Sequence, residues 1–198
     1  MLPLAFILPT RESWSRQAPD QGHSRPVSTG NVVALASARD ERSVSGGVEL
    51  RSRAAAVAAV AGRGEAARIL VMQRAGKTSR GLWSLVMGGL EQSESAPQAA
   101  RRELLEEAGI TAAALYNSGC CDTFFNPGAN VIDVTPIFVA TFAEAPAVTI
   151  NDEHLAYRWV SFEEAEDLLA YPGQRQALSE IKRDFALREP PAFRLLKK

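Results

Sequence analysis

Residues 101–110, RRELLEEAGI, constrain this chain more than any other stretch. The apolar spacing is that of a helix, yet it brings Glu103, Glu106 and Glu107 together. Like charges three or four apart on a helix cost a few tenths of a kcal/mol per pair. At about 100° per residue, with Ala100 at zero, Leu104 falls near +40°, Ala108 near +80° and Leu105 near +140°. These positions form the expected buried stripe. Glu107 then lies near −20°, Glu103 near −60° and Glu106 near −120°. The carboxylates therefore flank or enter the apolar stripe instead of lying opposite it. Crowded, partly buried carboxylates must be protonated, paired or holding a cation. Arg102 is the nearest partner, but one guanidinium does not neutralise three carboxylates. Hard oxygen ligands on one rigid face suit Mg²⁺ or Mn²⁺. An ordinary amphipathic helix with an acidic surface is the alternative these ten residues leave open.

The flanks set the ends of this helix. Ser95 is a good N-cap with Gln98 three residues on, a capping-box pattern, and Pro97 is tolerated in the first turn. Gly109 fits a left-handed stop. The helix is predicted over 96–108. Before it, AAAVAAV and AARILVMQR read as two strands joined by a glycine-containing hairpin, and the polar loop AGKTSRG leads into LWSLVMGG. After it, ITAAALYNSGCCDTFF, VIDVTPIFVATF and AYRWV read as strands, with NPGAN a turn. SFEEAEDLLA opens with a second capping box, Ser161 to Glu164, and is predicted helical. YPG breaks that helix, and QRQALSEIKRDFAL resumes it. Strands and helices mix without regular alternation, which predicts α+β with a mixed sheet.

The whole composition narrows the partners. With a net charge of −1, nothing argues for nucleic acid or an anionic membrane as the main partner. No apolar run approaches the roughly 18 residues that span a bilayer. Cys120 and Cys121 are adjacent and lack both disulfide and zinc-ligand spacing, so a reducing cytoplasm is expected. Residues 1–50 differ from the rest. MLPLAFILPT is short, proline-broken and a poor signal peptide, and the segment carries acids that a transit peptide lacks. Little structure is expected before about residue 50. Both a disordered extension and an over-called translation start fit, with Val48 a candidate start. Residues 51–188 are the expected domain, and 189–198 a tail.

The run GGLEQSESAPQAARRELLEEAGI fits G-x5-E-x7-R-E-U-x-E-E-x-G-U, where U is aliphatic. The fixed places are Gly88, Glu94, Arg102, Glu103, Glu106, Glu107 and Gly109, with Leu104 and Ile110 as aliphatics. Seven such positions match by chance on the order of 10⁻⁹ per window. The sequence thus resembles the Nudix hydrolases. The resemblance implies an α/β/α sandwich on a mixed sheet and hydrolysis of a nucleoside diphosphate linked to a further group, using Mg²⁺ or Mn²⁺. It implies that Glu103, Glu106 and Glu107 hold the metal. It gives Glu106 and Arg102 catalytic roles, and has Glu94, Gly88 and Gly109 orient the box.

EHLAYRWVSFEEAEDLL and the following GQRQAL resemble the C-terminal half of bacterial dATP pyrophosphohydrolases, some of which act on dihydroneopterin triphosphate. Val86 and Met87 stand where Pro-Gly usually precedes the box glycine. By the same resemblance Glu153 supplies a further ligand or the general base; a surface carboxylate is the other reading. His154 beside it is structural or touches phosphate. Arg74, Lys77, Gly88 and Phe124 are the candidate substrate contacts, and Trp83 and Phe125 either stack on a base or pack the core. Trp159 and the cysteines are expected to pack. The expected substrate is a nucleoside or pterin triphosphate. ADP-ribose, a dinucleoside polyphosphate, or binding without cleavage are the alternatives. A homodimer is open.

Overall fold

A computed structural model of the protein describes residues 47–197. The expected absence of structure before residue 50 falls almost wholly outside them. The first strand, β1, is Glu49–Arg51. It is followed by β2 (Ala54–Ala61), β3 (Arg68–Arg74), β4 (Trp83–Ser84), β5 (Val86–Gly89), α1 (Ala96–Ala108), β6 (Ala114–Asn126), β7 (Val131–Phe142), β8 (His154–Val160), α2 (Phe162–Leu168) and α3 (Pro172–Ile181). The sheet is mixed: β1 and β2 run parallel to β7, and the other pairings are antiparallel. The class is α+β, as the element order predicts.

β2 is the centre of the molecule because its small side chains allow packing on both faces. Ala55, Val57 and Ala59 face one core together with Ala100, Leu104 and Ala108 of α1. Ala56, Ala58 and Val60 face a second core with Ala165 of α2 and Leu178 and Ile181 of α3. Each fully buried Leu or Ile at these seams contributes roughly 1.5–3 kcal/mol. The result is a sheet sandwiched between α1 and the α2–α3 pair.

The split between β2 and β3 is what places the box. The two strands pair only at Val60 with Ile69 and Ala61 with Arg68. Beyond that point they separate, and β4–β5 fills the opening: Ser84 and Trp83 pair with β3, while Val86 to Gly89 pair with β2. Met87 and Gly88 thereby lie in the sheet beneath α1.

Helix α1 spans the predicted residues, with the Ser95–Gln98 capping box in place and Gly109 left-handed at φ 68°. Its buried face matches the prediction at Glu107, at the edge of the apolar stripe, and departs from it at Leu105. Leu105, expected inside, is 51% exposed, while Glu107 is 1% and Glu103 8% exposed. The sheet packs on an arc running from Ala99 through Ala100 and Leu104 to Ala108, and that arc takes in both glutamates. Three other expectations shift. Pro172 and Gly173 open α3 instead of merely breaking the chain, since Pro is favoured in the first turn. The long C-terminal helix ends at Ile181 in a π-type turn over Lys182–Ala186. The second capping box is half present: the Ser161 hydroxyl accepts from the Glu164 N–H, but the Glu164 side chain turns to Arg158. No helix among the described residues is long and apolar enough to cross a membrane.

Candidate active site

Arg102 is the hub of the carboxylate cluster. Its Nε donates to Glu94 Oε1 at 3.1 Å and its Nη2 to Glu94 Oε2 at 2.9 Å, a two-pronged contact. Nη2 also donates to the Gly89 carbonyl at 2.7 Å. Nη1 donates to Glu103 Oε1 at 2.8 Å and to Glu106 Oε2 at 2.9 Å. The single guanidinium thus reaches Glu94, Glu103 and Glu106, and leaves Glu107 out. These contacts pull the Glu94 carboxyl below its usual range, chiefly through Arg102. Burial pushes Glu103 up, with Arg102 opposing it.

Glu107 sits in a different environment. It is buried against the sheet, and its Oε2 accepts the Met87 N–H at 3.1 Å. Burial pushes its pKa up to about 8; the Met87 N–H and the charge of Arg74 oppose that rise, while Glu103 and Glu153 add to it. The Met87 donor was missed in the sequence. Only the fact that β5 is a strand in the β2–β3 gap points this N–H at α1.

Gly88 has a steric reason to be glycine. A Cβ there would lie 2.0 Å from Glu103 Oε1 and 2.1 Å from its carboxyl carbon. At Gly109, the left-handed backbone stops α1 as expected, and Thr149 crowds the position of a Cβ at 3.1 Å. Glu94 anchors the loop by a further contact, accepting the Glu91 N–H at 3.0 Å.

The outlying candidates divide. Glu153, exposed just before β8, is near enough for its charge to act on Glu103, Glu107 and His154. Its carbonyl accepts the Ala75 N–H at 2.8 Å, tying the β8 start to the loop after β3. Arg74 ends β3 opposite His154 and acts electrostatically on Glu107. Lys77 is exposed in the following loop and makes no hydrogen bond or ion pair among the described residues. Phe124 is 42% exposed and lines a cavity of about 170 Å³ with Arg53, Met87 and Thr135, beside the box loop. Arg53 was not singled out by the sequence. Phe125 is exposed, while Trp83 packs on the α2–α3 side of the sheet and Trp159 packs on Phe142 with its ring N–H on the Pro146 carbonyl. Cys120 packs as expected, but Cys121 is exposed. A larger cavity of about 520 Å³, between the first turn of α1 and Leu196–Lys197, contains none of the cluster carboxylates.

Among the described residues, no three His, Cys, Asp or Glu side chains are gathered as a finished metal site. Arg102 occupies the inner sides of Glu103 and Glu106 instead. The donor chemistry nonetheless fits a divalent cation. Among the described residues, Glu107 is a buried carboxylate with one backbone donor and no cation within hydrogen-bond reach, the condition that a bound cation relieves.

Known proteins resemble this chain in domain profile and fold. The NUDIX domain profile matches residues 50–181, more than half of the chain. The chain is similar to a dihydroneopterin triphosphate pyrophosphohydrolase from E. coli, with 25% identity, a TM-score of 0.56, and 69% of this chain and 99% of that one covered. It also matches the fold of a C. elegans Ap4A hydrolase at 23% identity and TM-score 0.57, covering 69% of this chain and 96% of that one. Among curated proteins, a putative mutator protein MutT4 from Mycobacterium tuberculosis is 32% identical over 109 residues, 54% of this chain and 44% of that protein. An octanoyltransferase from Myxococcus xanthus is 32% identical over 129 residues, 64% of this chain and 35% of that protein. The chain therefore spans less than half the length of these curated relatives. Box positions, sandwich and profile agree, and the chain belongs to the NUDIX domain family.

Proposed function

We propose that this chain is a pyrophosphohydrolase that cuts a nucleoside or pterin triphosphate to the monophosphate and pyrophosphate, with Mg²⁺ or Mn²⁺ as cofactor. One observation carries the reading: Glu107 is buried, with no cationic hydrogen-bond partner among the described residues, beside a carboxylate array organised by Arg102. The likeness to a dihydroneopterin triphosphate pyrophosphohydrolase supports the choice of a triphosphate.

In this reading Glu103, Glu106 and Glu107 hold the metal. A divalent ion held there would neutralise phosphate charge and lower the pKa of a water. Arg102 is also held by Glu94 and the Gly89 carbonyl, so these contacts would keep the guanidinium in place if Glu103 and Glu106 turned to a metal. Glu153 takes the proton of the attacking water. Arg74 balances phosphate charge, and Phe124 offers a ring face to the base or pterin. The expected domain, 51–188, extends at its start to β1 at Glu49 and acts in the cytoplasm, so deletion of residues 1–47 leaves activity unchanged.

The test is a hydrolysis panel with Mg²⁺, followed by phosphorus NMR: canonical and oxidised nucleoside triphosphates, dihydroneopterin triphosphate, ADP-ribose and diadenosine polyphosphates. Pyrophosphate released from one triphosphate, and lost in Glu107→Gln, is the expected result. Cleavage of only ADP-ribose or a dinucleoside polyphosphate would replace the substrate class. Binding without turnover would make the chain a nucleotide sensor.

A further inference from the structure

His154 is buried at the start of β8, and its Nε2 has no hydrogen-bond partner among the described residues. That nitrogen lies 3.9 Å from Glu107 Oε2. The other ring nitrogen, Nδ1, is 3.3 Å from the side-chain oxygen of Asn151. The same oxygen accepts the Glu153 N–H at 3.1 Å, which fixes the amide with its oxygen toward His154. An amide oxygen can only accept, so Nδ1 carries the ring proton and Nε2 presents a lone pair toward Glu107. An imidazole with one N–H held by an oxygen acceptor and the other nitrogen bare is the form in which histidine binds metals.

The face on which this happens holds another unpartnered buried oxygen. Ser84 is fully buried, its Oγ has no partner among the described residues, and it pairs with Met72 of the α1-side core. Arg74 and His154 are paired on the neighbouring strands. The spacing of the two donors also fits. Two atoms each about 2.1 Å from one ion stand about 3.0 Å apart at a right angle and about 4.2 Å apart in line. The 3.9 Å between Nε2 and Oε2 lies inside that range.

We propose that His154 Nε2 is a nitrogen ligand to the divalent cation held by Glu107, with Asn151 as the acceptor that orients the ring. The inference rests on the metal-dependent reading above. A mixed nitrogen and carboxylate site favours Mn²⁺ over Mg²⁺ relative to a site of oxygens alone, because imidazole suits transition metals.

The test is pulsed electron paramagnetic resonance of the Mn²⁺-loaded full chain. The sequence has two histidines, so His23→Gln leaves His154 as the sole imidazole. The expected result is nitrogen-14 modulation of the Mn²⁺ signal, converted to the nitrogen-15 pattern by labelled histidine and lost in His154→Gln. The His154→Gln variant should also bind Mn²⁺ at least about tenfold more weakly by titration calorimetry. The nitrogen signal is read on the parent fold, so it does not depend on the stability of the variant. Mn²⁺ bound in a Glu107-dependent manner without nitrogen modulation overturns the role of His154 alone. No Glu107-dependent Mn²⁺ binding at all overturns the metal-dependent reading with it.

Discussion

Glu94 grips the guanidinium of Arg102 with both carboxylate oxygens, at 3.1 Å to Nε and 2.9 Å to Nη2. The two residues belong to different parts of the box, the loop and the helix, so this pair fixes how the loop lies on α1. Glu94 is mostly covered, with 13% of its side chain exposed, which gives the contact more weight than a surface ion pair. A lysine cannot reproduce a two-pronged contact. Arg102→Lys should therefore lower kcat by at least about tenfold and destabilise the fold by about 1–3 kcal/mol. Steady-state kinetics and urea unfolding check this, and unchanged kcat would remove Arg102 from the catalytic arrangement.

Gly88→Ala tests close approach instead of charge. Its Cβ would occupy the space of the Glu103 carboxylate, which is the far end of a flexible side chain and can swing away. Stability should change by less than about 1 kcal/mol, while activity falls roughly 10²-fold as Glu103 is displaced. Thermal melting and kcat/KM measured side by side separate the two effects.

The buried Glu107 carboxyl predicts a pH effect with a definite sign. Its folded pKa, about 8, is above the ordinary value of 4.5, so the folded state binds the proton more tightly than the unfolded state. The stabilisation is complete below about pH 4.5 and is lost as pH rises toward 8. In the metal-free protein this costs on the order of 3–5 kcal/mol across that window. Unfolding free energies from pH 4.5 to 8.5 should fall more steeply for the parent than for Glu107→Gln, and Mg²⁺ should flatten the parent's slope. Parallel curves in the two proteins would show that Glu107 does not titrate in this way.

Phe124 and Lys77 separate a binding surface from a solvated charge. Phe124→Ala should raise KM about three- to tenfold with kcat nearly unchanged, the pattern of lost uniform binding. Lys77→Ala should leave both within about twofold, because nothing among the described residues engages its ammonium group. A large effect at Lys77 would relocate the phosphate contacts to the β3–β4 loop.

Gly109→Ala isolates the helix stop. With φ at 68° and Thr149 close to the new Cβ, the variant should lose about 1–2 kcal/mol in chemical unfolding without a change in substrate preference.

Much of this was legible in the chain itself. The ends of α1 follow from Ser95, Gln98 and Gly109, because capping and the left-handed stop are local interactions between neighbours in sequence. Five of the strands, β2, β3, β6, β7 and β8, follow from their apolar runs, while β1, β4 and β5 were not read as strands; the box residues announce themselves by spacing. What local rules cannot supply is which side of a helix the sheet will cover. The wheel put Leu105 inside; the sheet covers the arc containing Glu103 and Glu107 and leaves Leu105 in solvent. That choice arises from β4–β5 entering the gap between β2 and β3, which brings the Met87 N–H to Glu107 from 20 residues away. The same long-range pairing of β8 with β3 turns His154 inward, a residue whose neighbours in sequence give no hint of its partner. Sequence thus determined the helix and its carboxylates, through contacts a few residues long. The wheel already set Glu107 at the edge of the buried stripe, but its complete burial, the Met87 N–H it accepts and the resulting rise of its pKa were decided by strands brought together in the tertiary fold.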